Sequence, residues 1–222
     1  MKCKICESPT FLIVEDTYKC PVCFHIFRDL NMPETHYTSG EYRKLHEAQQ
    51  VDKRNRWITN IIKYINIPDL KKVFEVGSGD GLLCEFLKNK GIDVACCELD
   101  PFIVQEYKDK YCVYNEKFEN ISLRNDFDLV IAMDVVEHLQ DPHSFYKKAS
   151  EITKYLVVQI PTNRNMRTPK TKQDGHYHYF SERSLEVLGQ KHGFTLIKSL
   201  VTEKDFSANG QEIIVVYEKN IH

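Results

Sequence analysis

The sequence lacks three features that would place it in a broad class of protein. Its 222 residues contain no apolar run of the length, about 18 residues, that a membrane-spanning helix needs. The beginning of the chain shows no secretory signal, which leads us to expect a cytoplasmic protein. The formal net charge is only -2, so the surface as a whole has no general attraction for nucleic acid or anionic membranes.

A glycine-rich segment, VFEVGSGDG at residues 73–81, also lacks the lysine of a phosphate-binding P-loop and the G-x-G-x-x-G spacing of dinucleotide-binding proteins. An apolar strand precedes it, and an amphipathic stretch at 82–90 and a second apolar strand ending at Glu98 follow. This order predicts a βαβ unit in which glycines let the backbone approach a ligand closely. Glu98 is then placed to accept the hydroxyls of a ribose. A tight turn without a ligand is the alternative.

Cysteines are present in an informative pattern. Two C-x-x-C pairs are separated by thirteen residues, and two such knuckles form the tetrahedral thiolate site typical of structural zinc. A segment this short buries too little core to fold unaided, so zinc would supply the missing free energy. We therefore predict a zinc ribbon at residues 1–32, with Cys3, Cys6, Cys20 and Cys23 as ligands. The remaining cysteines are interpreted as small apolar residues.

The middle of the chain predicts further elements. Residues 33–68 are interpreted as a linker followed by a helix, which either covers the sheet or closes over the ligand as a lid. Residues 129–132 are apolar without alternation, which indicates a buried parallel strand. Met133 and Asp134 follow at its carboxyl end, where open α/β sheets bind their ligands.

The glycine-rich segment resembles motif I of class I S-adenosylmethionine-dependent methyltransferases, E/D-x-G-x-G-x-G, and Glu98 matches the ribose-binding acid of that family. Residues 134–138 (DVVEH) resemble the D/E-x-x-E-H motif that follows its fourth strand. The resemblance, strongest to methyltransferases of the methyltransferase-23 type, implies an α/β fold with a Rossmann-like seven-stranded sheet at residues 69–222. It also implies S-adenosylmethionine as cofactor, held by Glu75, Gly77, Ser78, Gly79, Gly81, Glu98, Leu99, Glu116, Met133 and Asp134.

The expected acceptor follows from resemblance as well. A ribbon followed by the residues at 27–29 resembles the N-terminal zinc-binding segment of class I methyltransferases that act on sugars, polysaccharides or small metabolites. O-methylation of a sugar, a phosphorylated or another small hydroxylated metabolite is the function we expect. A comparable ribbon occurs in ribosomal-RNA methyltransferases, so an RNA methyltransferase is the alternative. The basic segment 163–172 would then contact RNA; otherwise it binds an acceptor phosphate or carboxylate, or is a solvated loop.

Three histidines are candidates for chemistry at the acceptor. His138 is a candidate general base, or else a residue that packs the following helix. His176 and His178 belong to a run that resembles an acceptor-facing loop of the family. The spacing of Asp134, Glu137 and His138 puts all three on one face of a helical turn. With His178 as fourth ligand, this set resembles metal-dependent 2′-O-methyltransferases of small RNAs, which implies a second divalent metal; the alternative is that no metal binds there.

Overall fold

The computed structural model describes residues 1–14, 16–29, 51–124, 126–161, 175–202 and 211–220, with the backbone alone for 51–57. The described strands are β1 (Phe11–Val14), β2 (Thr17–Lys19), β3 (Ile26–Arg28), β4 (Lys72–Val76), β5 (Asp93–Cys97), β6 (Cys112–Tyr114), β7 (Phe127–Met133), β8 (Thr153–Pro161), β9 (His178–Tyr179), β10 (Phe194–Val201) and β11 (Glu212–Lys219). The α-helices are α1 (Val51–Ile65), α2 (Leu82–Asn89), α3 (Pro101–Tyr107), α4 (Pro142–Ile152) and α5 (Glu182–Lys191). Short 3-10 turns cover Phe118–Asn120 and Val136–His138.

Seven strands form the main sheet in the order β10-β11-β8-β7-β4-β5-β6. The five strands from β8 to β6 in this order are parallel, whereas β11 runs antiparallel to both β8 and β10. The order reverses at β4 and β7, so the carboxyl ends of these two central strands border a crevice, the usual ligand position in open α/β sheets. The structure confirms the α/β fold with a seven-stranded sheet that the family resemblance implies.

The central strands are apolar on both faces because helices cover both sides of the sheet. Side chains alternate between two apolar layers: Phe74 and Val130 belong to one, and Val73 and Leu129 to the other. Helices α1 and α2 contribute to the second layer, and α4 and α5 to the first. The described part of α1 packs three isoleucines into that layer, as a covering helix does: Ile58, Ile61 and Ile65.

The first part of segment 33–68, which holds the predicted linker and the start of the predicted helix, and the basic segment 163–172 lie outside the described residues. Within the part of the chain that is described, no helix has both the length and the apolar character to cross a membrane.

The ribbon forms a second, four-stranded sheet in the order β1-β2-β3-β9. Its fourth strand comes from a segment about 150 residues further along the chain, where Phe27 pairs with His178 and Ile26 with Tyr179. Cys3, Cys20 and Ile5 belong to the same apolar layer as Phe74, so the ribbon and the main sheet share a continuous core. The sequence predicted the ribbon as an appendage; it did not predict this shared strand.

Candidate active site

The glycine-rich turn follows β4 and is held against the end of β5. The amides of Gly77 and Ser78 both donate to the carbonyl of Cys97, at 3.0 and 3.2 Å. Gly77 has a φ of +71°, and a Cβ built on it would lie 2.7 Å from Cγ2 of Val135, in the segment after β7. Glycine is therefore required here both by the backbone conformation and by the close approach of a neighbouring segment.

Glu98 is fixed opposite this turn by three backbone donors. Its Oε2 accepts from the amide of Gly79 at 2.9 Å, and its Oε1 accepts from the amides of Leu99 and Asp100 at 2.7 and 2.9 Å. The carboxylate is half-buried and its position is set by the turn itself. A carboxylate accepts several hydrogen bonds, so it has capacity left for a ligand hydroxyl.

Glu75 lies beneath the turn instead of at its surface. It is 4% exposed, and its Oε2 accepts a hydrogen bond from the thiol of Cys84 on α2 at 2.9 Å. Burial raises the pKa of Glu75 well above its usual range. Its contacts are those of a residue that supports the turn from below.

The other predicted cofactor residues lie at the carboxyl ends of β4, β5 and β7, with two exceptions. The set at these ends comprises Gly77, Ser78 and Gly79 after β4, Glu98 and Leu99 after β5, and Met133 and Asp134 at the end of β7. Gly81, at the start of α2, faces the ring of Tyr107. Glu116 is exposed beyond the edge strand β6, outside this cluster.

The chain turns sharply at Asp134. This residue has a φ of +53°, which is uncommon outside glycine but tolerated by aspartate. Gln159 on β8 stabilises the turn twice, because its carbonyl accepts from the Asp134 amide and its side-chain amide donates to Asp134 Oδ1, both at 3.0 Å. The residues directly after this turn, Val136–His138, form a single 3-10 turn and not an α-helix.

Three potential metal ligands converge after β7: Glu137, His138 and His176 have ligand atoms within 4.8 Å of one another. Glu137 is 2% exposed, and neither of its carboxylate oxygens has a hydrogen-bond partner among the described residues. Burial and the nearby Asp134 raise the pKa of Glu137 well above its usual range. His138 Nδ1 lies 3.1 Å from the carbonyl of Gly175, and its Nε2 lies 4.0 Å from Glu137 Oε1.

The predicted ligand set is therefore corrected in two places. Asp134 and His178 do not belong to the group, and His176 does. The prediction assumed a continuous helical face from Asp134 to His138, but the left-handed backbone at Asp134 breaks that face. His178 is 1% exposed and stacks on His25 and Phe180, so its ring is directed into the ribbon instead of toward an acceptor.

The four ribbon cysteines are arranged as a tetrahedral metal site requires. Their sulfurs all lie within 4.8 Å of one another, with Cys3 and Cys23 3.6 Å apart and Cys6 and Cys20 3.4 Å apart. A zinc ion at about 2.3 Å from each sulfur would hold tetrahedral ligands about 3.8 Å apart, close to these distances. The amide of Ile5 donates to Cys3 Sγ at 3.4 Å. The spacing of the four sulfurs therefore fits a zinc ion.

His25 is a residue that the sequence reasoning missed. It is fully buried beside the cysteines, with Nδ1 3.8 Å from Cys3 Sγ and Nε2 3.1 Å from His178 Nδ1. Burial lowers the pKa of both histidines, so both rings are neutral near pH 7. Its position two residues after Cys23 was the available signal, but its partner His178 is identifiable only from the fold.

A sequence model of a family described as "Methyltransferase domain" matches residues 46–199. Among curated proteins, the chain is similar to the ubiquinone biosynthesis O-methyltransferase of Rhodopseudomonas palustris (strain BisB18). The two are 30% identical over 118 residues, which is 48% of this chain and 45% of the relative. The chain thus spans about half the length of the curated relatives it matches.

Two solved structures share the fold. A Haloferax volcanii complex of the methyltransferase activator Trm112 with a methyltransferase gives a TM-score of 0.70 at 11% identity, over 84% of this chain and 100% of the matched chain. The Burkholderia thailandensis 1,6-didemethyltoxoflavin-N1-methyltransferase, with its substrate and S-adenosylhomocysteine bound, gives 0.62 at 12% identity, over 96% of this chain and 100% of that chain. At these identities the likeness concerns the fold.

Proposed function

The chain belongs to the family of methyltransferase domains, and we propose that it transfers a methyl group from S-adenosylmethionine to a hydroxyl of a small acceptor. One observation carries the cofactor assignment: Glu98, directly after β5, is fixed by the amide of Gly79 in the turn that follows β4. The name of the Rhodopseudomonas relative, an O-methyltransferase, supports oxygen as the accepting atom. A sugar, a phosphorylated or another small hydroxylated metabolite remains the acceptor class that we propose.

The residues at the crevice fit the cofactor. Glu98 would accept the ribose hydroxyls, and Gly79, whose φ is +52°, would let the backbone approach the adjoining part of the ligand. When bound, S-adenosylmethionine supplies a methyl group on a positively charged sulfur. The protein's task is to align the acceptor oxygen with that methyl and to remove its proton, so positioning provides much of the rate.

Proton removal falls to the group formed by Glu137, His138 and His176. The carbonyl of Gly175 lies 3.1 Å from His138 Nδ1, so Nδ1 carries the hydrogen and Nε2 keeps its lone pair. That lone pair would either take the acceptor proton directly, or hold a metal ion that would lower the pKa of the hydroxyl so that its proton leaves to water. We propose the metal, because a buried carboxylate without a hydrogen-bond partner among the described residues lies beside two imidazoles, which is the donor set of a divalent cation.

We also propose that the four ribbon cysteines bind zinc as a structural ion. The sulfur spacing described above supports this, as does the position of the cysteines inside the shared core. Metal analysis of the purified chain is expected to find one zinc per four-cysteine site, and Cys20→Ser is expected to lose it. Retention of a full zinc equivalent by that variant would contradict the ligand assignment.

The test of the cofactor site is calorimetric titration of S-adenosylhomocysteine into the wild type, Glu98→Gln and Glu85→Gln. Glu85 is an exposed acid on α2 with the same charge, which makes it a matched control. Loss of hydrogen bonds to a charged acceptor weakens binding by about tenfold or more. Glu85→Gln is expected to bind like the wild type. Equal binding by all three proteins would remove Glu98 from the cofactor site.

The test of the second metal is a Mn²⁺ titration followed by electron paramagnetic resonance, on protein whose ribbon zinc has been quantified. We expect one Mn²⁺ site in the wild type and about tenfold or greater loss of affinity in Glu137→Gln. A wild type that binds no Mn²⁺, Mg²⁺ or Zn²⁺ beyond the ribbon ion would leave His138 as the general base. In that case His138→Ala, and not Glu137→Gln, would abolish turnover.

RNA is the alternative acceptor. A methyltransferase acting on RNA would bind it with an affinity that falls steeply as salt rises, because phosphate contacts release counterions. Tight, salt-sensitive RNA binding together with methylation of RNA would replace the small-molecule proposal, without changing the assignments of Glu98 or of the zinc ligands.

A further inference from the structure

The segment that carries His176 is hydrogen-bonded both to the turn at Glu137 and to the ribbon. On one side, the amide of Tyr177 donates to the carbonyl of Glu137 at 2.9 Å. On the other side, the carbonyl of Tyr177 accepts from the amide of Arg28 on β3 at 3.0 Å. One residue therefore links the ribbon directly to the turn that holds Glu137.

The strand that follows depends on the ribbon for its pairing. β9 consists of two residues, His178 and Tyr179, and its one neighbour in the order of the described strands is β3 of the ribbon. A two-residue strand has little stability of its own, so its position is set by the partner to which it pairs. The guanidinium of Arg28 adds to this contact, because it lies 5.4 Å from the ring centroid of Tyr179.

The side-chain contact continues from the strand to the cysteines. His178 Nδ1 lies 3.1 Å from His25 Nε2, and His25 Nδ1 lies 3.8 Å from Cys3 Sγ. The His25 ring is stacked between aromatic neighbours that prevent it from rotating freely: Phe27, His178 and Phe180. A thiolate is an acceptor, so it orients His25 with hydrogen on Nδ1, which leaves Nε2 to accept from His178.

We propose that His25 is a positioning residue: it transmits the geometry of the cysteine site through His178 to the segment that places His176 beside Glu137. The ribbon is then part of the acceptor side of the active site and not only a stabilising appendage. The mechanical part of this proposal concerns the chain alone. Its effect on metal affinity and catalysis rests on the proposed function.

A second histidine at the ribbon interface provides a matched control. His143 on α4 approaches the ribbon with Nε2 2.7 Å from the carbonyl of Lys4, and its Nδ1 lies 2.8 Å from His192 Nε2. This contact also joins the ribbon to the main domain through a histidine pair. It involves none of the residues from Gly175 to Tyr179.

The experiment is hydrogen exchange with mass spectrometry on the zinc-loaded full chain, followed in peptides covering residues 175–181. We expect His25→Leu to accelerate exchange there by about tenfold, because the opening free energy of the segment falls. His25→Gln, whose side-chain oxygen can replace Nε2 as acceptor, is expected to restore most of the protection. His143→Leu is expected to leave exchange in this segment unchanged even where it lowers overall stability.

Two outcomes would overturn the proposal: unchanged exchange in His25→Leu, or the same acceleration in His143→Leu. If His25→Leu loses zinc, His178→Leu breaks the same hydrogen bond from the other side while His25 stays beside Cys3. That variant is expected to lower the Mn²⁺ affinity of the Glu137 group by about tenfold. Affinity for S-adenosylhomocysteine is expected to stay constant in every variant, which separates this proposal from the assignment of the cofactor site.

Discussion

The proposed cofactor side, formed by Glu98 and the glycine turn, and the proposed acceptor side, formed by Glu137, His138 and His176, are built in opposite ways. On the cofactor side, Glu98 accepts from Gly79, a residue only 19 positions earlier in the chain, and from its two following amides. On the acceptor side, His138 faces a carbonyl 37 positions later, and the Glu137 carboxylate has no hydrogen-bond partner among the described residues. The hydrogen bonds that fix Glu98 join residues close together in the sequence. The group around Glu137 joins residues far apart in the sequence, and its carboxylate lacks hydrogen-bond partners among the described residues.

This difference shows which side contains the buried polar group without hydrogen bonds. A buried, unpaired carboxylate lowers stability, and folds retain such groups mainly where a ligand later satisfies them. The cofactor turn needs no ligand to complete its hydrogen bonds. The acceptor side does, which is why we assign the second metal there.

The largest expected effect concerns the point where the two sides touch, Gly77 and Val135. Gly77→Ala places a Cβ 2.7 Å from Val135 Cγ2 in a left-handed backbone. We expect it to lower the free energy of unfolding by about 3 kcal/mol, as strain and overpacking add. Binding of S-adenosylhomocysteine is expected to weaken as well. Chemical denaturation and calorimetry measure the two effects.

Two further variants separate strain from steric overlap. Gly91 has a similar φ of +79° with nothing within 4 Å of a built Cβ, so Gly91→Ala reports strain alone, about 1 kcal/mol. Adding Val135→Ala to Gly77→Ala removes the overlapping methyl and is expected to recover part of the loss. A double variant no better than Gly77→Ala would mean that the two sides do not interact through this contact.

A smaller effect is expected from pH. The folded-state pKa of Glu137 is raised above its unfolded value of 4.5, so the folded protein holds its proton more tightly. The stability that depends on this proton is present below pH 4.5 and is lost as pH rises through the folded-state pKa. Glu137→Gln removes the dependence. The wild type is therefore expected to lose stability relative to the variant by up to about 1.4 kcal/mol per pH unit in this window.

Glu75→Gln and added Mn²⁺ distinguish a metal-binding acid from another buried acid. Glu75 is also buried and its pKa is also raised, so Glu75→Gln is likewise expected to become more stable relative to the wild type as pH rises. Saturating Mn²⁺ is expected to cancel the loss due to Glu137, because the metal stabilises the ionised carboxylate, and to leave the loss due to Glu75 intact. Denaturation curves from about pH 5 to 8 decide this. A Mn²⁺ effect on both would argue against a metal at Glu137.

Much of the architecture was predictable because it depends on short-range patterns. The glycine spacing, the acid at Glu98 and the apolar strands predicted the βαβ unit, the family resemblance implied the seven-stranded sheet, and the two C-x-x-C pairs predicted the cysteine cluster. The error at Asp134 arose from a local backbone conformation. Helical spacing alone did not reveal that the turn there is left-handed.

The sequence by itself determined the cofactor turn and the cysteine site, since each lies within a few dozen residues and its residue types permit few other arrangements. Only the tertiary structure decided that His176 and not His178 joins Glu137, and that His178 instead meets His25. The contact between His178 and His25 spans more than a hundred residues and depends on β9 completing the ribbon sheet. Strand pairing between distant segments is set by the packing of the whole chain, and no local pattern encodes it.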